Sequence, residues 1–151
     1  MIPAQMAKHV SVTPPAAIVD NASLTTSEID TKDWDYCEIQ VYLGATDIAM
    51  TALKVQESDT SGSGFADVTG LVFGTSEDVD GNTSALPSAT DDNGFHVFQI
   101  DLRGRKRYLD VVGTVGNGTA GAFVAISARL SRGGEGPLSV ADAGCNGLLR
   151  K

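Results

Sequence analysis

The chain has 151 residues, of which 19 are acidic and 11 basic, for a formal net charge of −8, with 42% apolar side chains and 17 glycines. A chain of this length buries about 68–70% of its unfolded surface, so one hydrophobic core suffices and disorder of the whole chain is excluded. No run approaches the ~18 consecutive apolar residues of a membrane span, and the opening residues MIPAQMAKHVSVTPP carry no apolar signal core; the expectation is folding in a cytosol, away from membranes.

Taken in chain order, residues 1–15 hold Pro3, Pro14 and Pro15 and read as an extended N-terminal arm, although Val10–Val12 has the pattern of a short strand. Ala16–Val19 and Ser27–Thr31 offer two more short strands. The clearest alternation is Tyr36–Leu43, which places Cys37, Ile39, Val41 and Leu43 on one face and Glu38 and Gln40 on the other. Residues 50–57 point Leu53 and Val55 inward, and the turn residues 59–64 then set up a hairpin with 65–73. Gly74–Asn93 is long, acidic and rich in Ser, Thr and Asn, the composition of an exposed insertion or binding loop. Phe95–Leu102 and Tyr108–Val115 alternate again, and Gly116-Asn117-Gly118 predicts a tight hairpin leading into Ala120–Leu130. No stretch has the period and caps of an amphipathic helix. The fold class is therefore all-β, an antiparallel β-sandwich or a jelly roll, with the arm at 1–15, the sandwich at 16–132 and a Gly-rich C-terminal tail at 133–151.

Charge is distributed unevenly. Residues 1–102 contain 16 acids and 3 bases, whereas 103–151 contain 3 acids and 8 bases, so one copy offers an acidic flank and a basic flank to its neighbours. Basic density peaks at Arg103, Arg105, Lys106 and Arg107. With a net charge of −8 and no aromatic residues interleaved, this run reads as a turn or interface rim and not as a nucleic-acid site. Trp34 and Tyr36 read as core or interface anchors.

Motifs for chemistry are sparse. Gly116-Asn117-Gly118-Thr119-Ala120-Gly121 matches G-x-G-x-x-G, but a dinucleotide site needs a helix after the glycines, and a period-2 segment follows. Ser76, Asp78, Asp80 and Gly81 match positions 1, 3, 5 and 6 of a calcium loop, but Pro87 stands at position 12 in place of a bidentate Glu. The reading is a solvated acidic loop, with an irregular calcium site at Asp78, Asp80, Asp91 or Asp92 as the alternative. His96 lies on the apolar face of its strand and His9 in the arm, neither with a partner at metal-ligand spacing. Cys37 and Cys145 are too few for a disulfide framework and read as thiols, and the Asn-x-Ser/Thr matches at Asn21, Asn82 and Asn117 read as unmodified. The expectation is a protein without catalytic residues or cofactor.

The run from Val41 to Asp59, with Leu53-Lys-Val-Gln-Glu-Ser-Asp59 followed by Gly64-Phe-Ala-Asp-Val-Thr-Gly70, resembles a block of small virion proteins of tailed bacteriophages. Asp101–Val112 and Phe123–Leu130, ahead of the Gly-rich tail, resemble the same family. Together these blocks cover about residues 14–132. The resemblance implies a virion structural β-sandwich made in the host cytoplasm. Capsid decoration is the favoured role: a cement protein on the capsid surface, trimeric, with the major capsid protein as partner. On that reading Arg103, Arg105, Lys106 and Arg107 meet an acidic neighbour. Neck, tail-adaptor and fibre proteins use the same architecture, and a carbohydrate-binding module stacking sugars on Trp34, Tyr36 and Tyr42 is the other alternative.

Overall fold

The computed structural model describes residues 5–134 and 139–149. Among these described residues eight strands follow in chain order, β1 (Lys8–Thr13), β2 (Ile29–Asp30), β3 (Tyr36–Thr46), β4 (Met50–Ser58), β5 (Ala66–Val72), β6 (Phe95–Asp101), β7 (Tyr108–Val115) and β8 (Ala122–Ser131). They form two four-stranded antiparallel sheets, β1-β8-β3-β6 and β2-β7-β4-β5. First pairs with last, second with seventh, third with sixth and fourth with fifth. This nesting is the jelly-roll order, which local patterning left open against other sandwiches.

The alternation read from the sequence fixes the faces. Cys37, Ile39, Val41 and Leu43 of β3 are buried, as are Leu53 and Val55 of β4, Phe98 and Ile100 of β6, Leu109 and Val111 of β7, and Val124, Ile126, Ala128 and Leu130 of β8. A period of two on a pleated strand sends these to one side, and together they form a single core between the sheets.

Three expectations change. Residues 8–13 are no free arm: they form an edge strand on β8 with Val12 buried, because Val10 and Val12 have an apolar face to contribute once β8 supplies a partner. The tail is also partly folded in, since the His9 N–H donates to the Ala143 carbonyl (2.8 Å) and Ala143 is buried; Glu135–Leu138, within the Gly/Pro break, lie outside the described residues. Finally, Gly116–Gly121 is not a hairpin. It joins β7 of one sheet to β8 of the other, and Ala16–Val19 contributes only the single bridge Val19↔Ala122 to that corner.

The connections segregate to two ends. Residues 31–35, 59–65 and 102–107 gather at one end, and the loops after β1, β3, β5 and β7 at the other, tied by bonds such as Thr46 N–H to Asp92 Oδ1 (2.8 Å) and Gly118 N–H to Asp20 Oδ1 (2.7 Å).

Candidate functional site

The basic run sits in the β6–β7 turn, and its cations face carboxylates of the same chain. Arg103 pairs with Asp101 (2.5 Å), Arg107 makes a two-pronged contact with Asp30 (2.8 and 2.9 Å), and Arg105 lies 3.6 Å from Glu57. The Arg103 guanidinium holds the Asp101 carboxyl down to about 2, and Arg107 lowers Asp30 likewise. Lys106 engages Glu57 through its backbone N–H (3.2 Å), and among the described residues its ammonium is the cation of the run without an ion pair. Turn geometry gives Arg103 its neighbour two residues back, while the partners of Arg105 and Arg107 come from distant strands and are not visible in linear spacing.

Trp34 and Tyr36 are at the same end, on the β2–β3 connection and the start of β3. Trp34 is half-buried against the core, and a Cβ on Gly133 would come within 3.0 Å of its ring, so backbone covers the indole. Tyr42 lies six residues along β3 from Tyr36, about 20 Å away. The three aromatics do not form one platform.

At the opposite end the G-x-G-x-x-G loop does hold an anion, and the anion belongs to the chain. Asp47 Oδ2 accepts the N–H groups of Thr119 (2.9 Å) and Ala120 (2.8 Å), and Oδ1 accepts that of Gly121 (2.8 Å). These backbone donors, Gly121 and Ala120 foremost, hold the Asp47 carboxyl below its ordinary range. A Cβ on Gly118 would overlap the Asp47 carboxylate, and one on Gly121, at φ +100°, would overlap the Val19 carbonyl. The glycines are needed for close backbone approach, the same physics that serves a phosphate in nucleotide sites.

The acidic loop is likewise self-satisfied. Asp78 Oδ1 accepts the N–H groups of Asp80 (2.9 Å) and Asn82 (3.0 Å), closing a turn. Among the described residues, no three His, Cys, Asp or Glu side chains are placed to hold a metal ion.

What the chain leaves exposed is the outer face and one edge of the β1-β8-β3-β6 sheet. Tyr42 and Phe95 are direct cross-strand partners whose rings stack at 4.4 Å, and Phe123 stands diagonal to Tyr42 over the space that Gly44 leaves open. Tyr42, Phe95, Val97 and Phe123 are 45%, 60%, 39% and 44% exposed, a contiguous aromatic patch on a sheet face. Beside it, along the outer edge of β6, runs a groove of about 740 Å³. Leu71 and Phe73 wall it on one side and Phe95 to Gln99 on the other, with Glu38, Glu77 and Asp78 on its rim. His96 lines it with the edge of its ring against Phe73; burial lowers its pKa, Asp91 opposing, and among the described residues its Nδ1 is the buried side-chain polar atom without a hydrogen-bond partner. The alternation in 95–101 gives the faces of β6, but nothing local shows that Tyr42 and Phe123 will join Phe95, because their adjacency depends on the β3–β6 and β3–β8 registers. No protein-family model matches the chain, and no curated protein is similar to it.

Proposed function

We propose that this protein is a non-enzymatic virion structural protein, a decoration protein that docks on a phage head as an oligomer, with a trimer favoured and the major capsid protein as partner. The observation that supports the reading is the aromatic patch of Tyr42, Phe95, Val97 and Phe123. A contiguous apolar patch on a soluble sheet face marks a protein-protein surface, and aromatic anchors dominate the energetics of such surfaces. Tyr42 and Phe95 stack on each other, which uses one ring face of each and disfavours a flat sugar platform. The jelly roll is shared by viral capsid and lectin domains, so the fold does not choose between them and the resemblance in residues 14–132 supplies the preference. Many copies on a lattice need only modest contacts each, because avidity multiplies them.

The test uses purified full-length protein and phage heads stripped of decoration. Wild type co-sediments with the heads, and the double variant Tyr42→Ser/Phe95→Ser, altered only on the outer face, stays in the supernatant while keeping its β circular dichroism. Equal sedimentation of the two proteins, or none by wild type, overturns the reading. Light scattering adds the stoichiometry: about three chain masses for a decoration trimer, six or twelve for a neck or tail ring.

A further inference from the structure

The sandwich has four outer strands, and three are protected against pairing with another chain. β1 carries Lys8 and a register shift between Ser11 and Thr13, and the Ala143 carbonyl occupies the His9 N–H on its outer side. β2 is only two residues long, and β5 is broken by a register shift on β4. Short strands, bulges and edge lysines are the ordinary means of blocking edge-to-edge association. β6 has none of them: seven residues in unbroken register with β3, no proline, and no charge before Asp101.

The open hydrogen-bonding groups of β6 follow from its pairing. Leu43 N–H donates to the Gly94 carbonyl (3.0 Å) and Leu102 N–H to that of Asp35 (2.9 Å), which assigns the even-numbered residues of 94–102 to bonds with β3. In an antiparallel pair the alternate residues then direct N–H and C=O outward, here Phe95, Val97 and Gln99. These groups face the groove, whose sides are apolar and whose rim carries Glu38, Glu77 and Asp78 and, among the described residues, no Lys or Arg. Such a groove fits one extended segment with leucine-sized side chains followed by positive charge.

This chain carries that segment. After the turn at Ser139–Gly144 the sequence runs Cys145-Asn-Gly-Leu-Leu-Arg-Lys151, with Leu149 99% exposed. It cannot serve its own groove. Gly144 packs outside β1, against the His9 carbonyl, while the groove lies outside β6 at the far edge of the same sheet, about five strand spacings or ~24 Å away. The four residues from Gly144 to Leu148 span ~14 Å at full extension. A neighbouring copy with its β1 edge beside this β6 edge brings the segment directly alongside.

We propose that Gly147–Lys151 of one copy adds as a strand to β6 of the next, with Leu148 and Leu149 on its opposite faces, one toward Leu71 and Phe73 and the other toward Phe95 and Val97, and with Arg150 and Lys151 toward the rim carboxylates Glu38, Glu77 and Asp78. The contact is heterologous: one edge of the sheet gives and the opposite edge receives, so repetition builds a ring where the rotation between copies closes and a filament where it does not. It needs no capsid; the groove shares Phe95 and Val97 with the aromatic patch, and variants outside the patch, at Leu149 and Glu77, separate a failure of this contact from a failure of head docking.

The experiment uses two differently tagged full-length chains, both Cys145→Ser, one with Leu149→Cys and the other with Val79→Cys. Both engineered positions are 99% exposed, so folding is not at stake, and Cys37 is buried. Mild oxidation of the mixture yields a disulfide joining the two tags. Glu38→Lys with Glu77→Lys weakens self-association by about tenfold, as expected for two exposed ion pairs, and Arg150→Glu with Lys151→Glu in the same chain restores it. Leu149→Asp in the otherwise wild-type chain brings the light-scattering mass down to 15.7 kDa. A wild-type chain that is monomeric at every concentration overturns the proposal. So do an oligomer unchanged by Leu149→Asp and the absence of any cross-tag disulfide.

Discussion

Asp47 is the residue on which one end of the sandwich turns. Its carboxylate replaces water for three consecutive backbone N–H groups of the β7–β8 connection, so Asp47→Ala leaves those donors without an acceptor and is expected to lower the melting temperature by several degrees, read by differential scanning calorimetry, with Asp47→Asn recovering part of it. Asp30, Asp47, Asp67, Asp91 and Asp101 all have carboxyl pKa values below the ordinary range, through Arg107, the Gly121 and Ala120 backbone, Lys54, Ser88 and Arg103 respectively. A carboxyl group with a lowered folded-state pKa stabilises the fold above its unfolded value, near 3.9, and that stability is lost as pH falls through the folded value. Thermal stability measured against pH should therefore be flat near neutrality and fall steeply between about 4 and 2, the value to which Asp101 is lowered. Cysteine chemistry divides in the same residue-by-residue way. Burial pushes the Cys37 thiol up to about 12, whereas Cys145 is partly exposed, so a thiol reagent should titrate one group per native chain and two in denaturant. That Cys37 points inward is legible from its alternation with Ile39. The role of Asp47 is not, because its three donors lie more than 70 residues away in sequence.

At the scale of elements, the strands are the most legible part of the protein and their partners the least. Tyr108–Val115 is bounded in the sequence as it is in the structure, since alternation and turn residues mark both of its ends. The Gly-rich segment after it has the local chemistry of a hairpin, but the core faces of β7 and β8 belong to opposite sheets, so the chain crosses between layers and the glycines accommodate the crossing. Gly121→Ala should cost about 1–3 kcal/mol, the range for forcing a side chain into a strained backbone position, measured by urea denaturation. β6 carries a second expectation at this scale. In hydrogen exchange the amides of Val97 and Gln99, directed away from β3, should exchange much faster than those of Phe98 and Ile100 in a dilute monomer, and should gain protection on self-association. A strand's own sequence sets its inward face; whether its edge is covered depends on segments such as 139–144 that reach it from elsewhere.

For the whole molecule, the single core predicts one cooperative transition. Leu109→Ala, at a fully buried site between the sheets, should cost about 2–5 kcal/mol and shift every spectroscopic probe together. The charge asymmetry along the chain becomes a different object once folded. Asp30 meets Arg107 across 77 residues and Glu57 meets Arg105, so much of the acidic-to-basic contrast between the two sections of sequence is neutralised within one copy. By itself the sequence determined the all-β class, the approximate course of the longer strands from Tyr36 onward and their inward faces, because those depend on a period-2 pattern and on turn chemistry that act over a few residues. The tertiary structure alone decided the jelly-roll order, the docking of residues 8–13 and 143–144 at one edge, the carboxylate within the Gly-rich loop, and the aromatic patch and open β6 edge. Each of these is a contact between segments distant in the chain, and its energy exists only when the rest of the sandwich holds both partners in place.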